Sequence, residues 1–323
     1  MKRWIWILLI VVGIGILGWA IYERYFAPKN KVEDLQGDGQ GAIRAAGRNF
    51  DWLNNNSGNI LPQTGNTGIL GFLDGGQNLV QKRYKPLLSG SADEFSASKR
   101  AENLKIMRNL VTQYDKYITV WGQRYRVPKV LFYTVLAIES GPYHKTLPAR
   151  KPIISGNRSS FGPAQFQPTT ASDTVLVGIK KGFITREEGQ AFLTKQISPA
   201  TAKALVSHSV HQRDTAPTIA SSDLQKDELS IYLLALKLSI QFDNWGSTQD
   251  KMHLALFTYT VGDKRLNNSE SPDYNLHRTT NNVSDFYAKA KSKQGKDYLL
   301  KTFGENGTLD IAINDLGIAD RLS

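Results

Sequence analysis

Phe132, Leu136 and Glu139 are spaced by four and then three residues, so on a helix the Glu139 carboxyl shares a face with apolar side chains. Burial there disfavours the carboxylate, and so does the negative end of the helix dipole if the helix ends at Glu139. A carboxyl that holds its proton toward neutrality is suited to general acid–base chemistry. A glutamate turned to solvent at a helix end fits the same spacing, and on these features alone it is the more economical reading. The other chemistry-bearing residues exclude more than they suggest. No cysteine is present, which removes disulfides, thiolate metal sites and cysteine nucleophiles together. Five histidines include one HxxH pair, His208 and His211, with no acidic ligands close by in sequence, and no metal site is assigned.

The elements that must position Glu139 read as helices. Apolar residues recur at three and four from Leu104 through Met107, Leu110, Val111, Tyr114, Tyr117 and Ile118 to Trp121, an amphipathic helix over about 98–121. Pro128 is placed to open the next helix, 129–139, and Gly141-Pro142 to stop it. Thr185 and Glu188 form a capping-box pattern before a helix at 185–194, and Ser198-Pro199 starts another at 198–209. A strongly apolar helix is expected at 228–242, one more at 251–261, and a short one at 283–290. No stretch alternates as a strand, so the expected fold class is all-α.

Three segments change the reading of Glu139. Residues 127–141, VPKVLFYTVLAIESG, resemble the part of lytic transglycosylases where a helix ends in the catalytic Glu-Ser. Residues 162–171, GPAQFQPTTA, resemble their Gly-x-x-Gln-x-x-Pro-x-Thr-Ala motif, and residues 255–262, ALFTYTVG, their Ala-Leu-x-x-Tyr-Asn-x-Gly motif. The three occur in the family's order, and the similarity extends over about residues 100–292. Residues 228–245 look like the apolar helix between the second and third motifs, and 279–290 like the helix that closes the domain.

The resemblance implies a lysozyme-like, two-lobed helical domain with a glycan groove between the lobes. It implies that Glu139 protonates the glycosidic oxygen between N-acetylmuramic acid and N-acetylglucosamine. Glu139 then accepts the proton of the muramyl 6-hydroxyl as a 1,6-anhydro ring closes. Ser140 would steady Glu139, Gln165 and Phe166 would bind substrate and shape the groove, and Tyr259, with Thr260 beside it, would hydrogen-bond or pack next to the glutamate. No cofactor is implied. A glycosidase with two carboxylates needs the second at roughly 5 to 9.5 Å from the first. No Asp or Glu lies between Glu139 and Asp173; the stretch carries His144, Lys145, Arg150, Lys151 and Arg158 instead. Asp173, Asp214 or Asp223 could still supply one. The basic loop reads equally as a site for stem-peptide carboxylates and as a solvated surface. The chain departs from the family at Thr260, where Asn is usual, at Val261, Pro163 and Ala164, and in a longer segment over about 175–227.

The N-terminus suggests a location. Met1-Lys2-Arg3 precede an uncharged stretch from Trp4 to Tyr22, which as a helix reaches about 28 Å, close to the thickness of a bilayer core. Trp4, Trp6, Trp19, Tyr22 and Tyr25 suit the two interfaces. No small-residue cleavage site follows, so an uncleaved anchor is expected over 1–27. A Gly- and Asn-rich tether follows at 28–97, the catalytic domain at 98–292, and a C-terminal extension at 293–323. The net charge of +11 favours an anionic partner, and no nucleic-acid module is recognised. The expectation is an inner-membrane, single-pass peptidoglycan lytic transglycosylase with its body in the periplasm or on the outer face. Peptidoglycan and the membrane are its partners, and a secretion, pilus or phage-entry complex is compatible with the anchor. A hydrolytic lysozyme-type muramidase and a non-catalytic glycan-binding scaffold remain the alternatives.

Overall fold

The computed structural model describes residues 84–209, 211–212, 215–245 and 249–318. The expected anchor, most of the tether and Asp214 lie outside them; among the described residues no helix is long and apolar enough to cross a membrane. The protein is mostly helical there, with only two isolated bridges, Ile154 to Phe161 and Phe161 to Phe166.

Helix α1, Arg100–Tyr125, buries Ile106, Met107, Leu110, Tyr114 and Ile118 along one stripe. It stops because Arg126 turns left-handed (φ 52°) and the Val127 amide folds back onto the Gly122 carbonyl. Pro128 then caps α2, Lys129–Ser140, in which every residue from Val130 to Ala137 is buried. A helix apolar all round must lie inside, and α2 does. Helix α3, Pro168–Lys180, opens on a proline at its first position. The Thr185–Glu188 capping box starts α4, Arg186–Gln196, and Ser198 caps α5, Pro199–Ser207. Helix α6, Asp227–Trp245, is the hub and packs on α1, α3 and α7, Gln249–Val261. A short α8, Val283–Lys289, leads to α9, Lys293–Phe303.

Helix α9 approaches α7 so closely that a Cβ on Gly295 would lie 2.1 Å from the Phe257 ring. Residues 293–318, read from sequence as an extension, therefore belong to the core: Tyr298, Leu299, Phe303, Leu309 and Ile311 are buried in the same cluster as α2 and α6. The last part of the expected tether is packed as well. Tyr84, Leu88, Ala92 and Phe95 are buried, and the Tyr84 backbone pairs with the Asn314 side chain in both directions, at 2.8 and 2.9 Å. Arg100 binds Asp310 and Asp315, tying the start of α1 to the C-terminal turns.

Candidate active site

Glu139 sits in the last turn of α2 and keeps part of its surface open. Its surroundings are otherwise buried, and that burial pushes its pKa up to about 7. Lys237 of α6 and Lys301 of α9 oppose the shift, in that order. The Tyr298 hydroxyl is close enough to favour the carboxylate as well, although no hydrogen bond of full geometry joins the two. The charges acting on Glu139 among the described residues are thus cations. Of the acids that could have faced it, Asp223 pairs with Lys226, and Asp173 exerts its charge on Lys237.

The loop before α3 is held tightly. Gly162 has φ +73°, and a Cβ there would lie 1.9 Å from the Leu224 carbonyl oxygen. The Ala164 amide donates to Ser230 Oγ of α6 at 3.1 Å. Gln165 is itself left-handed (φ 52°), and its amide and Nε2 both donate to the Gly162 carbonyl, at 3.1 and 2.8 Å. Gln165 keeps some exposure, while Phe166 is buried, with backbone bonds to Phe161 in both directions. From α7, the Tyr259 hydroxyl reaches the Ala164 carbonyl at 3.4 Å. The Lys237 ammonium lies 4.4 Å from the Tyr259 ring centre and 5.6 Å from that of Phe166. Burial first and the charge of Glu139 second push the Tyr259 and Tyr298 hydroxyls far above their ordinary pKa, so both stay protonated.

Glu139, the Gln165 loop, Phe166 and Tyr259 are therefore brought together around Lys237. Ser140 is not part of that group. It is completely buried, its hydroxyl bonds the Leu136 carbonyl and His144 Nε2, both at 3.2 Å, and it has no surface to offer a substrate. Thr260 accepts a 3.2 Å hydrogen bond from Gln294 Nε2 of α9 in an exposed position, at the rim. The basic loop divides as well. His144 is buried and its pKa is pushed by that burial down to about 4, so it carries no charge at neutral pH. Lys145 pairs with Glu102 and Lys151 with Asp227.

Sequence reading missed Lys237, Tyr298 and Lys301. For Lys237 a signal existed: it is the one cation inside an apolar helix, DELSIYLLALKLSIQFDNW. For Tyr298 there was none, since α9 lies past the end of the recognised similarity. Asp263, whose charge reaches Lys237, also lines a cavity of about 430 Å³ with Asn244, Trp245, Leu254, Asn267 and His277. Among the described residues no group of acids and histidines could hold a metal ion. Comparison with known proteins yields no matching family, no similar curated protein and no similar solved structure.

Proposed function

We propose that this chain is a membrane-anchored peptidoglycan lytic transglycosylase with a lysozyme-like, two-lobed helical body. The observation that carries the reading is a single, partly open carboxyl, Glu139, whose pKa burial raises to about 7, beside the Gln165 loop and Tyr259 and facing lysines where a second carboxylate would be needed for a two-acid mechanism. Half-protonated near neutrality, Glu139 gives its proton to the glycosidic oxygen as the bond from C1 of the muramyl residue breaks. The resulting carboxylate takes the proton of the 6-hydroxyl while O6 bonds to C1. No water is consumed, and the product carries a 1,6-anhydro ring. Acid–base assistance of this kind contributes about 10² to 10⁴ in rate. The exposed Gln165 edge and the Thr260 rim hold the glycan, and Phe166 supports the loop from behind. The uncharged stretch from Trp4 to Tyr22 anchors the chain in the inner membrane, with its body on the side where peptidoglycan lies.

Mass spectrometry of purified peptidoglycan treated with the full chain, beside Glu139→Gln, tests this. Anhydro-muropeptides formed by the wild type and not by the variant are expected. Reducing-end products would make the enzyme a hydrolase with the same acid. No product from a folded chain that still binds glycan would replace the enzyme by a glycan-binding scaffold.

A further inference from the structure

Lys237 stands in α6 beside Leu233, Leu234, Leu236 and Leu238, which are completely buried, and is itself half-buried. A partly desolvated ammonium is costly unless a carboxylate offsets it. Three carboxylates act on Lys237, Glu139 most strongly, then Asp263 and Asp173. Asp263 is engaged by Trp245 Nε1 at 2.9 Å and Asn244 Nδ2 at 3.1 Å. The ammonium instead rests over the Tyr259 ring, with Phe166 next to it, in ordinary cation–π geometry. The Tyr259 ring lies 6.3 Å from that of Tyr298, whose hydroxyl faces Glu139, so the ammonium, the two tyrosines and the carboxyl form one cluster.

We propose that Lys237 is a positioning residue for the reaction: its ammonium, held over Tyr259 and Phe166, stabilises the Glu139 carboxylate that proton donation leaves behind. The proposal rests on the reading of Glu139 as the acid. Lys237 keeps its own proton throughout. The groups that face Glu139 are Lys237 from α6, Lys301 and Tyr298 from α9, and Tyr259 from α7. Lys301 is already balanced by Glu94 and Asp297, at 3.1 and 2.8 Å. Tyr298 and Tyr259 are neutral. Among the described residues Lys237 is thus the facing cation that no ion pair includes, and burial lowers its pKa without removing the influence of Glu139.

The test is a carbon-13 NMR titration of the glutamate carboxyl groups in the full-length chain, with the Glu139 resonance identified by its loss in E139Q. In Lys237→Met the Glu139 midpoint should rise by about one pH unit, a tenfold change in its ionisation constant. In Lys237→Arg, which keeps the cation, it should stay near the wild type. The alkaline limb of kcat/KM against pH should move up with the midpoint in K237M, and kcat should fall. Lys237→Gln replaces the methionine variant if that one does not fold. A folded, charge-free variant whose Glu139 midpoint is unchanged overturns the proposal. So does an arginine variant that shifts as far as methionine, since packing and not charge would then be at work. The titration needs no turnover: a shifted midpoint in a chain that cleaves no glycan would sink the proposed function and leave the electrostatic link between the two residues standing.

Discussion

Replacing Gly162 by alanine puts a Cβ 1.9 Å from the Leu224 carbonyl oxygen, 2.9 Å from its carbon and 3.2 Å from Ser230 Oγ. The first two contacts are to backbone of the turn Ser221–Leu224, whose Leu224 side chain is completely buried, so neither partner yields easily. Alanine also holds φ +73° at a cost of about 1–2 kcal/mol. Forcing loop and turn apart adds about 1–3 kcal/mol of overpacking. Losing the Ala164 amide to Ser230 bond adds about 1 kcal/mol. The sum, about 3–6 kcal/mol, corresponds to a melting temperature lower by roughly 10 °C for a domain of this size.

The control is Gly156→Ala, where a Cβ meets nothing within 4 Å and the backbone is not left-handed. It should melt within a degree or two of the wild type. Circular dichroism against temperature gives both numbers. Because the displaced loop carries Gln165 and Phe166, Gly162→Ala should also lose glycan cleavage well below its melting temperature. A variant that melts with the wild type would refute the argument, for it would mean the loop is not held against Leu224 and Ser230.

Four further outcomes follow from the same geometry. Tyr298→Phe removes a hydroxyl that favours the Glu139 carboxylate, so the alkaline limb of the rate profile should move up and turnover near pH 7 should fall by about tenfold. Ser140→Ala should leave KM unchanged and lower stability by about 1–2 kcal/mol in urea unfolding, because the hydroxyl serves Leu136 and His144. A chain begun at residue 98 loses the buried side chains of Tyr84, Leu88 and Phe95, each worth about 1.5–3 kcal/mol, and should melt far below one begun at 84. Stability against pH should decline on both sides. Glu139 is raised in the fold from its ordinary 4.5 to about 7, so the stability tied to its proton is intact below about 4.5 and is lost as pH rises through 7. His144 and His253 are lowered from 6.5 to about 4, so theirs is intact above 6.5 and is lost as pH falls toward 4. Glu139→Gln should remove the alkaline decline alone.

The helices were legible because their signals are local. The α1 stripe, the Thr185–Glu188 capping box and the Ser198-Pro199 start all lie within a few residues of what they specify. Helix α3 was missed as a helix since its first turn was absorbed into a motif, and α9 since lysines and a glycine hide its apolar side. Gly295 is small there for a reason that only Phe257 of another helix supplies. Contacts cross the boundaries at 98 and 292 for a related cause. Tyr84 and Asn314 hold each other across the domain, and no periodicity in either segment encodes that pairing.

The site divides along the same line. Glu139 could be placed on an apolar face from spacing, and the direction of its pKa followed from burial. What spacing could not supply is the sign of the charges opposite it. A second carboxylate near Glu139 would have raised its pKa further and supplied a nucleophile or a water-activating base. The fold brings Lys237 from α6 and Lys301 from α9 there instead, and both pull the pKa back toward the range in which one group can give a proton and then take one. A lone acid that must serve twice needs its two protonation states near balance at the working pH. Desolvation by α2's apolar neighbours and an opposing lysine set that balance from opposite sides. In the proposed reaction the identity of residue 237 would therefore matter even though the residue touches no proton in transit.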